Sequence, residues 1–166
     1  MQLRDATLDD AAAIAGIYNH YVLHTAISFE EDAVSAAEMA QRIADVHAAG
    51  LPWLVIADEH QVAGYAYATR WRVRHAYRYS VETTVYLARE HAGAGLGTRL
   101  VAELLARLRQ GGYRLAIGGI ALPNAASVAL HEKMGFRRVA VFNEVGFKDG
   151  CWLDVGYWQY NLAAPT

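Results

Sequence analysis

The sequence predicts a single α+β domain, and two observations lead to that prediction. The chain has 166 residues, of which 54% are hydrophobic and 19% charged, a composition that suits one globular domain with a sizeable core. Segments with strand-like and helix-like hydrophobic periods follow one another in the order β α α β β β α β α β β. Because we find no internal repeat or linker, we expect one domain over residues 1–162 and a short C-terminal tail over 163–166.

The first half of the chain predicts one strand, two helices and a hairpin. Thr7 is placed to cap the first helix, because Asp9 and Asp10 follow in the turn where the helix dipole favours negative charge. Ser35 and Glu38 have the spacing of a capping box, which opens the second helix. The predicted elements are a strand over 2–6, helices that begin after Thr7 and Ser35, a non-helical segment over 24–34, and strands over 53–58 and from 62 to about 71.

The second half predicts strands and helices around a cluster of glycines. A polar and aromatic loop over 72–79 leads into a strand over 80–88. Glycines 93, 95 and 97 then feed a helix that Gly111 and Gly112 end. The remaining predicted elements are a strand over 113–120, a helix over 125–134, a strand over 136–145, a turn over 146–150 and a final strand over 151–161.

Charge and hydropathy patterns exclude several function classes. Fifteen Lys and Arg residues against seventeen Asp and Glu residues give a formal net charge of -2 without a run of like charge, so we expect no nucleic-acid partner. No apolar stretch is long enough to span a bilayer, and charged residues within 1–10 do not fit a signal peptide, so we expect no membrane partner. With a single cysteine, Cys151, no internal disulfide can form. These observations predict a cytoplasmic protein.

Metal and thiol chemistry are not indicated either. Among seven histidines, His20 and His24 would share a helix face, but no third ligand lies at a recognisable spacing, so we expect no metal. Cys151 stands in the predicted terminal strand, where packing is a simpler role than nucleophilic catalysis.

Residues 88–101 predict a strand that runs through small residues directly into a helix N-terminus. Absent side chains at Gly93, Gly95 and Gly97 would let a ligand approach the backbone, and free N–H groups of the first helical turn would point at it. This geometry suits an anion. Thr98 stands where a dinucleotide-binding fingerprint needs its last glycine, and the Gly-Lys-Ser/Thr of a Walker loop is absent. Alternatively, the glycines serve only a tight strand-to-helix turn.

Two sequence blocks resemble the GNAT superfamily of N-acetyltransferases. The pyrophosphate loop of that family, Gln/Arg-x-x-Gly-x-Gly/Ala, corresponds to Ala92-Gly93-Ala94-Gly95-Leu96-Gly97. The second block comprises Asn124-Ala125-Ala126-Ser127 and, after it, Leu130-His131-Glu132-Lys133-Met134-Gly135-Phe136. Residues 80–86 and 146–159 resemble the phosphinothricin and methionine sulfoximine (methionine sulfone) acetyltransferase branch, so the resemblance runs essentially end to end.

The resemblance implies the GNAT fold, a single domain with a central mixed, mostly antiparallel twisted sheet flanked by helices. It implies acetyl-CoA as the co-substrate, without a metal. Ala92 departs from the family pattern, so backbone N–H groups would bind most of the pyrophosphate, with Arg89 or Arg99 as candidate cations. The residues at cofactor-binding positions are Val85, Tyr86, Leu87, Gly93, Ala94, Gly95, Leu96, Gly97, Thr98 and Asn124.

Acetyl transfer to an amine needs a base, because an aliphatic amine with a pKa of about 10 is protonated at neutral pH. Glu82 lies in the otherwise uncharged predicted strand 80–88, where the resembling enzymes use a glutamate as general base. The departing thiolate needs a proton, and His131 stands four residues before Gly135, at the position of a histidine in the resembling branch. Alternatively, Glu82 faces solvent and His131 is a surface or hydrogen-bonded residue.

The acceptor site is implied by the segment Trp71-Arg72-Val73-Arg74, which resembles a substrate-binding segment of the branch. Two arginines two residues apart suit a carboxylate together with a phosphinate or sulfone oxygen, although a solvated loop is the alternative. The substrate-binding positions that the resemblance implies are Phe29, Arg72, Val73, Arg74, Thr83 and Thr84, with Glu30 and Tyr77 as further candidates.

We therefore expect transfer of an acetyl group from acetyl-CoA to the α-amino group of a phosphinothricin-, methionine sulfoximine- or methionine sulfone-like acceptor, by direct attack with Glu82 as base. Two alternatives stay open: an acetyl-CoA-binding sensor module without turnover, and a GNAT enzyme that acetylates an ordinary amino acid or another amine. The resemblance also implies a homodimer, and aromatic residues between Phe142 and Tyr160 could form its interface or fill the last strand pair.

Overall fold

Seven strands and four α-helices make up the part of the chain that the computed structural model describes, residues 1–163. The last three residues of the expected tail, 164–166, lie outside the described residues. In chain order the elements are β1 (Gln2–Asp5), α1 (Ala11–His24), α2 (Ala36–Ala48), β2 (Trp53–Ala57), β3 (Val62–Arg70), β4 (Ser80–Leu87), α3 (Leu96–Gln110), β5 (Leu115–Leu122), α4 (Ala125–Lys133), β6 (Arg137–Lys148) and β7 (Cys151–Asn161).

The strands form one sheet in the order β1-β2-β3-β4-β5-β7-β6. Every neighbouring pair is antiparallel except β4 and β5, which are parallel and connected through α3. The expected mixed, mostly antiparallel sheet is therefore confirmed. Parallel neighbours need a crossover connection, and the predicted helix after the glycine cluster supplies it.

The helices cover both faces of the sheet. Gly64 and Tyr65 are neighbours in β3, so their side-chain directions point to opposite faces. A Cβ atom at Gly64 would lie 3.3 Å from Leu100 of α3, whereas the Tyr65 ring lies 5.7 Å from that of Tyr86, which contacts Tyr18 of α1. Thus α3 packs on one face and α1 on the other, where α2 packs beside it.

The core lies where helices cover β2 and β3. All five residues of β2 are buried, which explains why this strand is continuously apolar. In α3, Leu100, Leu104 and Leu108 recur every four residues and are fully buried on the same side of the helix. Each such leucine contributes about 2 kcal/mol by burial alone.

The helix starts follow the predicted capping signals with one difference. The Ser35 hydroxyl accepts a hydrogen bond from the Glu38 amide at 3.1 Å, so α2 begins as expected. Thr7 was expected to cap an α-helix directly, but one 3₁₀ turn comes first and α1 begins at Ala11. The Asp10 carboxylate explains this turn, because it accepts the Thr7 amide and both terminal nitrogens of Arg4, each at 2.8 Å.

The start of β5 differs from the sequence prediction. The strand was expected over 113–120 but spans 115–122. The Tyr113 amide donates to the Leu108 carbonyl at 3.1 Å and so still belongs to the end of α3. The Arg114 amide donates to the Tyr79 carbonyl at 2.8 Å, just before the regular β4–β5 pairing begins.

The end of β6 also differs. The strand was expected to stop at Val145, with a turn over 146–150, but it continues to Lys148 after an irregularity around Glu144, which has a φ of 54°. The Glu144 amide donates to the Asp154 carboxylate at 2.7 Å, and this contact holds the bulge. Because the turn is only Asp149-Gly150, Cys151 lies at the hairpin tip and is exposed, so its predicted packing role is wrong.

Candidate active site

The central feature of the site is a cleft between β4 and β5. These strands pair over only three positions, the last being Glu82 with Ile117, and beyond them they separate. A cavity of about 570 Å³ fills the gap. Its wall consists of Tyr21 of α1, Ile27 of the following segment, residues 82–87 of β4, residues 92, 93, 95, 97 and 98 around the start of α3, residues 119–121 of β5, and residues 124, 126, 127, 129–131 and 133 around α4.

Backbone groups of β4 face this cleft. The Ala88 amide donates to Ala63 and the Ser80 carbonyl accepts from Trp71, so even-numbered residues of β4 direct their backbone groups to β3. Successive residues alternate in direction, and Val85 and Leu87 therefore present theirs to the gap. The Leu87 carbonyl accepts the Tyr21 hydroxyl at 2.6 Å. Two amide groups thus point into the cavity, while the backbone of Tyr86 is directed to β3.

The glycine loop supplies a second set of amides. Gly93 and Gly95 have positive φ values of 81° and 76°, so they turn the chain from β4 into α3. The first hydrogen bond of α3 runs from the Arg99 amide to the Gly95 carbonyl at 3.3 Å, which leaves the preceding amides of the helix start free for a ligand. Gly97 is needed for packing, because a Cβ there would lie 3.1 Å from a methyl carbon of Leu130.

Most of the expected cofactor-binding residues of β4 and the glycine loop line the cavity. Of the nine candidates that precede α4 and its cap, seven belong to the wall: Val85, Tyr86, Leu87, Gly93, Gly95, Gly97 and Thr98. Ala94 is exposed in the loop, and Leu96 is buried in the core, where its side chain packs instead of facing the cavity. Asn124 lines the cavity and caps α4, since its side-chain oxygen accepts the Ser127 amide at 3.2 Å.

A lysine that sequence reasoning did not single out supplies a cation at this end of the cavity. Lys133 of α4 lines the wall, and its Nζ atom donates to the Thr98 hydroxyl at 3.4 Å. The two arginines expected to replace a side chain at Ala92 do not line the wall, and Arg99 donates to the Met1 carbonyl at 3.3 Å. Lys133 lies 35 positions along the chain from Thr98, so no local motif indicates the contact.

Glu82 lies where the β4–β5 pairing ends. Its side chain is half-buried, and burial raises the pKa of its carboxyl group above the ordinary value. Within residues 1–163 no Lys, Arg or His forms an ion pair with it. A Cβ atom at Gly119 would lie 3.7 Å from Glu82 Oε1, so the glycine leaves room beside the carboxylate. A half-buried, unpaired carboxylate in a cleft has the properties of a proton acceptor.

An aromatic cluster lies beside Glu82. The Tyr157 ring of β7 would contact the same Cβ position at Gly119, at 3.1 Å, and it meets the rings of Trp71 and Phe142 edge-on. Burial and Glu82 raise the pKa of the Tyr157 hydroxyl, and Arg72 lowers it. Sequence reasoning assigned Tyr157 only to the aromatic terminal block, because its neighbours come from three other strands and one loop.

Of the expected acceptor residues, some line the cavity and others lie outside its wall. Thr83 and Thr84 line the cavity, and the Thr83 hydroxyl donates to Ile117 at 3.4 Å. Arg72, Val73 and Arg74 are exposed outside the cavity wall, and Val73 is 97% exposed. Arg72 lies nearest the site, with its guanidinium 5.2 Å from the Trp71 ring. Of the remaining candidates, Phe29 packs over Gly146, Glu30 pairs with Arg42, and Tyr77 is exposed.

His131 is buried in the cavity wall with a defined hydrogen bond. Its Nδ1 atom lies 2.7 Å from the Ser127 carbonyl, and because a carbonyl only accepts, Nδ1 carries a proton. Burial lowers the pKa of His131, and the Ser127 carbonyl opposes this more weakly. The neutral ring therefore has its lone pair on Nε2, the atom that a Cβ at Gly118 would approach to 2.7 Å. To donate a proton from Nε2, the ring must first become charged.

Within residues 1–163, no group of three or more His, Cys, Asp or Glu side chains is arranged to hold a metal ion. In the same described range, no helix is both long and apolar enough to cross a membrane.

Comparisons with known proteins identify the family to which the chain is similar. The family model described as an acetyltransferase (GNAT) domain matches residues 3–156. A phosphinothricin N-acetyltransferase of Streptomyces viridochromogenes is 37% identical, with 100% of this chain and 90% of that protein covered. An L-methionine sulfoximine/L-methionine sulfone acetyltransferase of Salmonella typhimurium is 39% identical, with 99% and 98% covered. A solved phosphinothricin acetyltransferase from Sinorhizobium meliloti in complex with acetyl-CoA matches with a TM-score of 0.93 and 40% identity, covering 96% of this chain and 87% of that one.

Proposed function

Because the chain belongs to the GNAT acetyltransferase family and is an acetyl-CoA-dependent N-acetyltransferase, we propose that its acceptor is a small α-amino acid of the phosphinothricin, methionine sulfoximine or methionine sulfone type. The acceptor class is that of two relatives that are 37% and 39% identical to this chain. The structural observation that supports acetylation of an amine most directly is the half-buried Glu82 carboxylate, which lies at the point where β4 and β5 separate. An amine delivered there meets a carboxylate with which no Lys, Arg or His of residues 1–163 forms an ion pair, beside a cleft that the amides of Val85 and Leu87 face.

Glu82 would act as the general base. It removes the proton of the acceptor ammonium, directly or through water, and the freed amine attacks the thioester carbonyl carbon. Burial suits this role because it raises the pKa of the carboxyl group and so strengthens the carboxylate as a base. The Gly119 position leaves the space in which the amine would approach Oε1.

The amides of Val85 and Leu87 would stabilise the oxyanion that forms when the amine attacks. Preorganised donors of this kind are worth about 3 kcal/mol of transition-state stabilisation each. When the carbon–sulfur bond breaks, the electron pair leaves with the thiolate. His131 would return a proton to that sulfur from Nε2, and this role requires the charged form of a ring whose pKa burial lowers.

The phosphate groups of the co-substrate would lie against the start of α3. The residues present fit a pyrophosphate: positive-φ glycines expose the backbone, amides of the first turn are free, and Lys133 adds a cation next to Thr98. At the opposite end, Arg72 beside Trp71 and Tyr157 would bind the acceptor carboxylate.

Acetyl-CoA-dependent thiol release tests the proposed acceptor class. We expect saturable turnover with phosphinothricin, methionine sulfoximine or methionine sulfone, and weaker turnover with glycine, alanine, methionine or spermidine. Glu82→Gln should lower kcat about hundredfold or more with the preferred acceptor. Turnover only with ordinary amino acids or with spermidine would overturn the acceptor proposal, and unchanged kcat in Glu82→Gln would overturn the role of the base.

We also propose that the protein is a cytoplasmic homodimer. Its β6–β7 hairpin exposes several large apolar side chains, a concentration that suits burial against a second copy. These side chains are Val139, Val141, Phe142, Val145, Phe147 and Trp152. The absence of paired cysteines suits a reducing compartment.

A further inference from the structure

Lys148 is a buried lysine that the proposed chemistry does not use. It lies at the end of β6 and is 2% exposed. Its Nζ atom donates to three backbone carbonyls, those of Val22 at 2.7 Å, Thr25 at 2.8 Å and Ser28 at 2.6 Å. Because an ammonium group has three N–H donors, all of its hydrogen-bonding capacity is used.

The three carbonyls show which part of the chain Lys148 contacts: the end of α1 and the segment after it. Val22 lies in the last turn of α1, where carbonyls lack partners within the helix and the helix dipole favours a cation. Thr25 and Ser28 belong to the segment that follows. Within residues 1–163, no Asp or Glu forms an ion pair with Lys148, so its hydrogen bonds and the helix end compensate its burial.

Residues 25–30 extend across the cleft. On one side, the Ser28 hydroxyl is 2.8 Å from the hydroxyl of Tyr18, whose ring contacts that of Tyr86 on β4. On the other side, Phe29 covers Gly146 of β6 so closely that a Cβ there would lie 2.4 Å from its ring. Between these contacts Ile27 lines the cavity. The segment therefore joins the strands on the two sides of the gap between β4 and β5.

This segment covers the cleft from the face that carries α1. The amides that would bind phosphate belong to the start of α3, on the other face of the sheet. A displacement of residues 25–30 would consequently change the wall near the middle of β4 and leave the phosphate end in place. Such a displacement would affect the acceptor more than the co-substrate.

We propose that Lys148 is a positioning residue that holds residues 25–30 against β6 and thereby shapes the acceptor side of the cavity. This inference rests on the proposed function for its catalytic consequence. Without the three hydrogen bonds the carbonyls of Val22, Thr25 and Ser28 would lose their partner inside the protein, and the segment would move to find water.

The two lysines of the chain allow a matched kinetic test. We expect Lys148→Met, which keeps the length and removes the donors, to raise the KM of the acceptor about tenfold, with less than about a twofold change in the KM of acetyl-CoA. Lys133→Met, the same substitution at the phosphate end, should raise the KM of acetyl-CoA and leave that of the acceptor. An equal rise of both KM values in Lys148→Met, or an unchanged acceptor KM, would overturn the proposal.

Hydrogen exchange of backbone amides tests whether Lys148 holds residues 25–30 in position, and this measurement does not depend on turnover. Amides within 25–30 should exchange faster in Lys148→Met than in the wild type, whereas those of α3 should not change. This measurement separates the two proposals. If the wild type acetylates none of the acceptors, the proposed function fails. Faster exchange at 25–30 in Lys148→Met would still support the positioning role of Lys148. Unchanged exchange at residues 25–30 would overturn the positioning role of Lys148. If Lys148→Met is insoluble, Lys148→Gln, with two donors on a shorter side chain, replaces it in both measurements.

Discussion

Glu82 combines two properties that oppose each other. Burial raises the pKa of its carboxyl group, which strengthens the base but makes the charged form unfavourable in the folded protein. No cation within residues 1–163 forms an ion pair with it and offsets that cost. Residues of this kind improve activity at the expense of stability.

We therefore expect Glu82→Gln to stabilise the folded protein at neutral pH while it abolishes most of the activity. Because the folded pKa is raised, the contribution of Glu82 to stability is present below its ordinary pKa of 4.5 and is lost as pH rises through the folded value. The gain in thermal midpoint from Glu82→Gln should accordingly be larger at pH 7 than at pH 4. Calorimetry at both pH values checks this, with exposed Glu31→Gln as the control. Equal shifts at the two pH values would contradict the desolvation of Glu82.

A second prediction at this scale concerns His131. If the ring donates a proton to the thiolate, kcat must fall as pH rises through the pKa of His131, which burial holds below its ordinary 6.5. The ascending limb belongs to Glu82 and lies above 4.5. The pH profile of kcat for the wild type and His131→Gln measures both limbs. A wild-type profile that rises to a plateau without a descending limb would exclude His131 as the donor.

Among the structural elements, the strand-to-helix connection before α3 depends on backbone conformation more than on side chains. Gly95 precedes the helix with a φ of 76°, and nothing lies within 4 Å of the position where a Cβ would be. The demand at this position is therefore conformational rather than steric. The direction of the amides at the start of α3, and therefore the proposed anion site, depends on the φ value of Gly95.

Gly95→Ala should destabilise the protein by about 1–2 kcal/mol, because an L-residue disfavours this conformation. It should also raise the KM of acetyl-CoA. Gly16→Ala is a matched control, since Gly16 lies within α1 with open space around it, and alanine there should stabilise by about 0.5–1 kcal/mol. Chemical denaturation measures both changes. The same sign for the two substitutions would contradict this account.

The elements that sequence reasoning predicted best are those with local signals. The Ser35–Glu38 pair fixes the start of α2, and the leucine spacing of α3 follows directly from one buried helix face. The continuation of β6 could not be predicted in this way. Lys148 looks like a solvated lysine in a turn, and only carbonyls at least 120 positions earlier in the chain explain its burial.

The residues of the candidate site also differ in whether local sequence could identify them. Glu82 and the glycine loop were identifiable because their surroundings are adjacent in sequence. Tyr157 and Lys133 were not, because each reaches the site through contacts between distant strands or helices. A local pattern therefore predicts which backbone binds, but not which side chains the fold brings to it.

At the scale of the whole molecule, six of the exposed large apolar side chains within residues 1–163 lie together on the β6–β7 hairpin. Phe147 and Trp152 face each other across the strands, with ring centroids 4.8 Å apart, and are 58% and 65% exposed. Trp152→Glu should convert the proposed dimer into a monomer, because a carboxylate cannot be buried there without a partner. Sedimentation equilibrium of the variant and the wild type measures this, with Val73→Glu, at 97% exposure, as the control. A monomeric wild type would contradict the proposed dimer.

The three-position joint between β4 and β5 has a mechanical consequence for the molecule. Strands β1 to β4 form one half of the sheet and β5, β7 and β6 the other, and in the described part of the chain the two halves pair as strands over Ser80 to Glu82 alone. A co-substrate that accepted hydrogen bonds from the Val85 and Leu87 amides would lie along β4 in the gap, where an additional strand could pair. The sheet would then be continuous only in the loaded enzyme, so occupancy of the cleft and stiffness of the whole sheet would rise together.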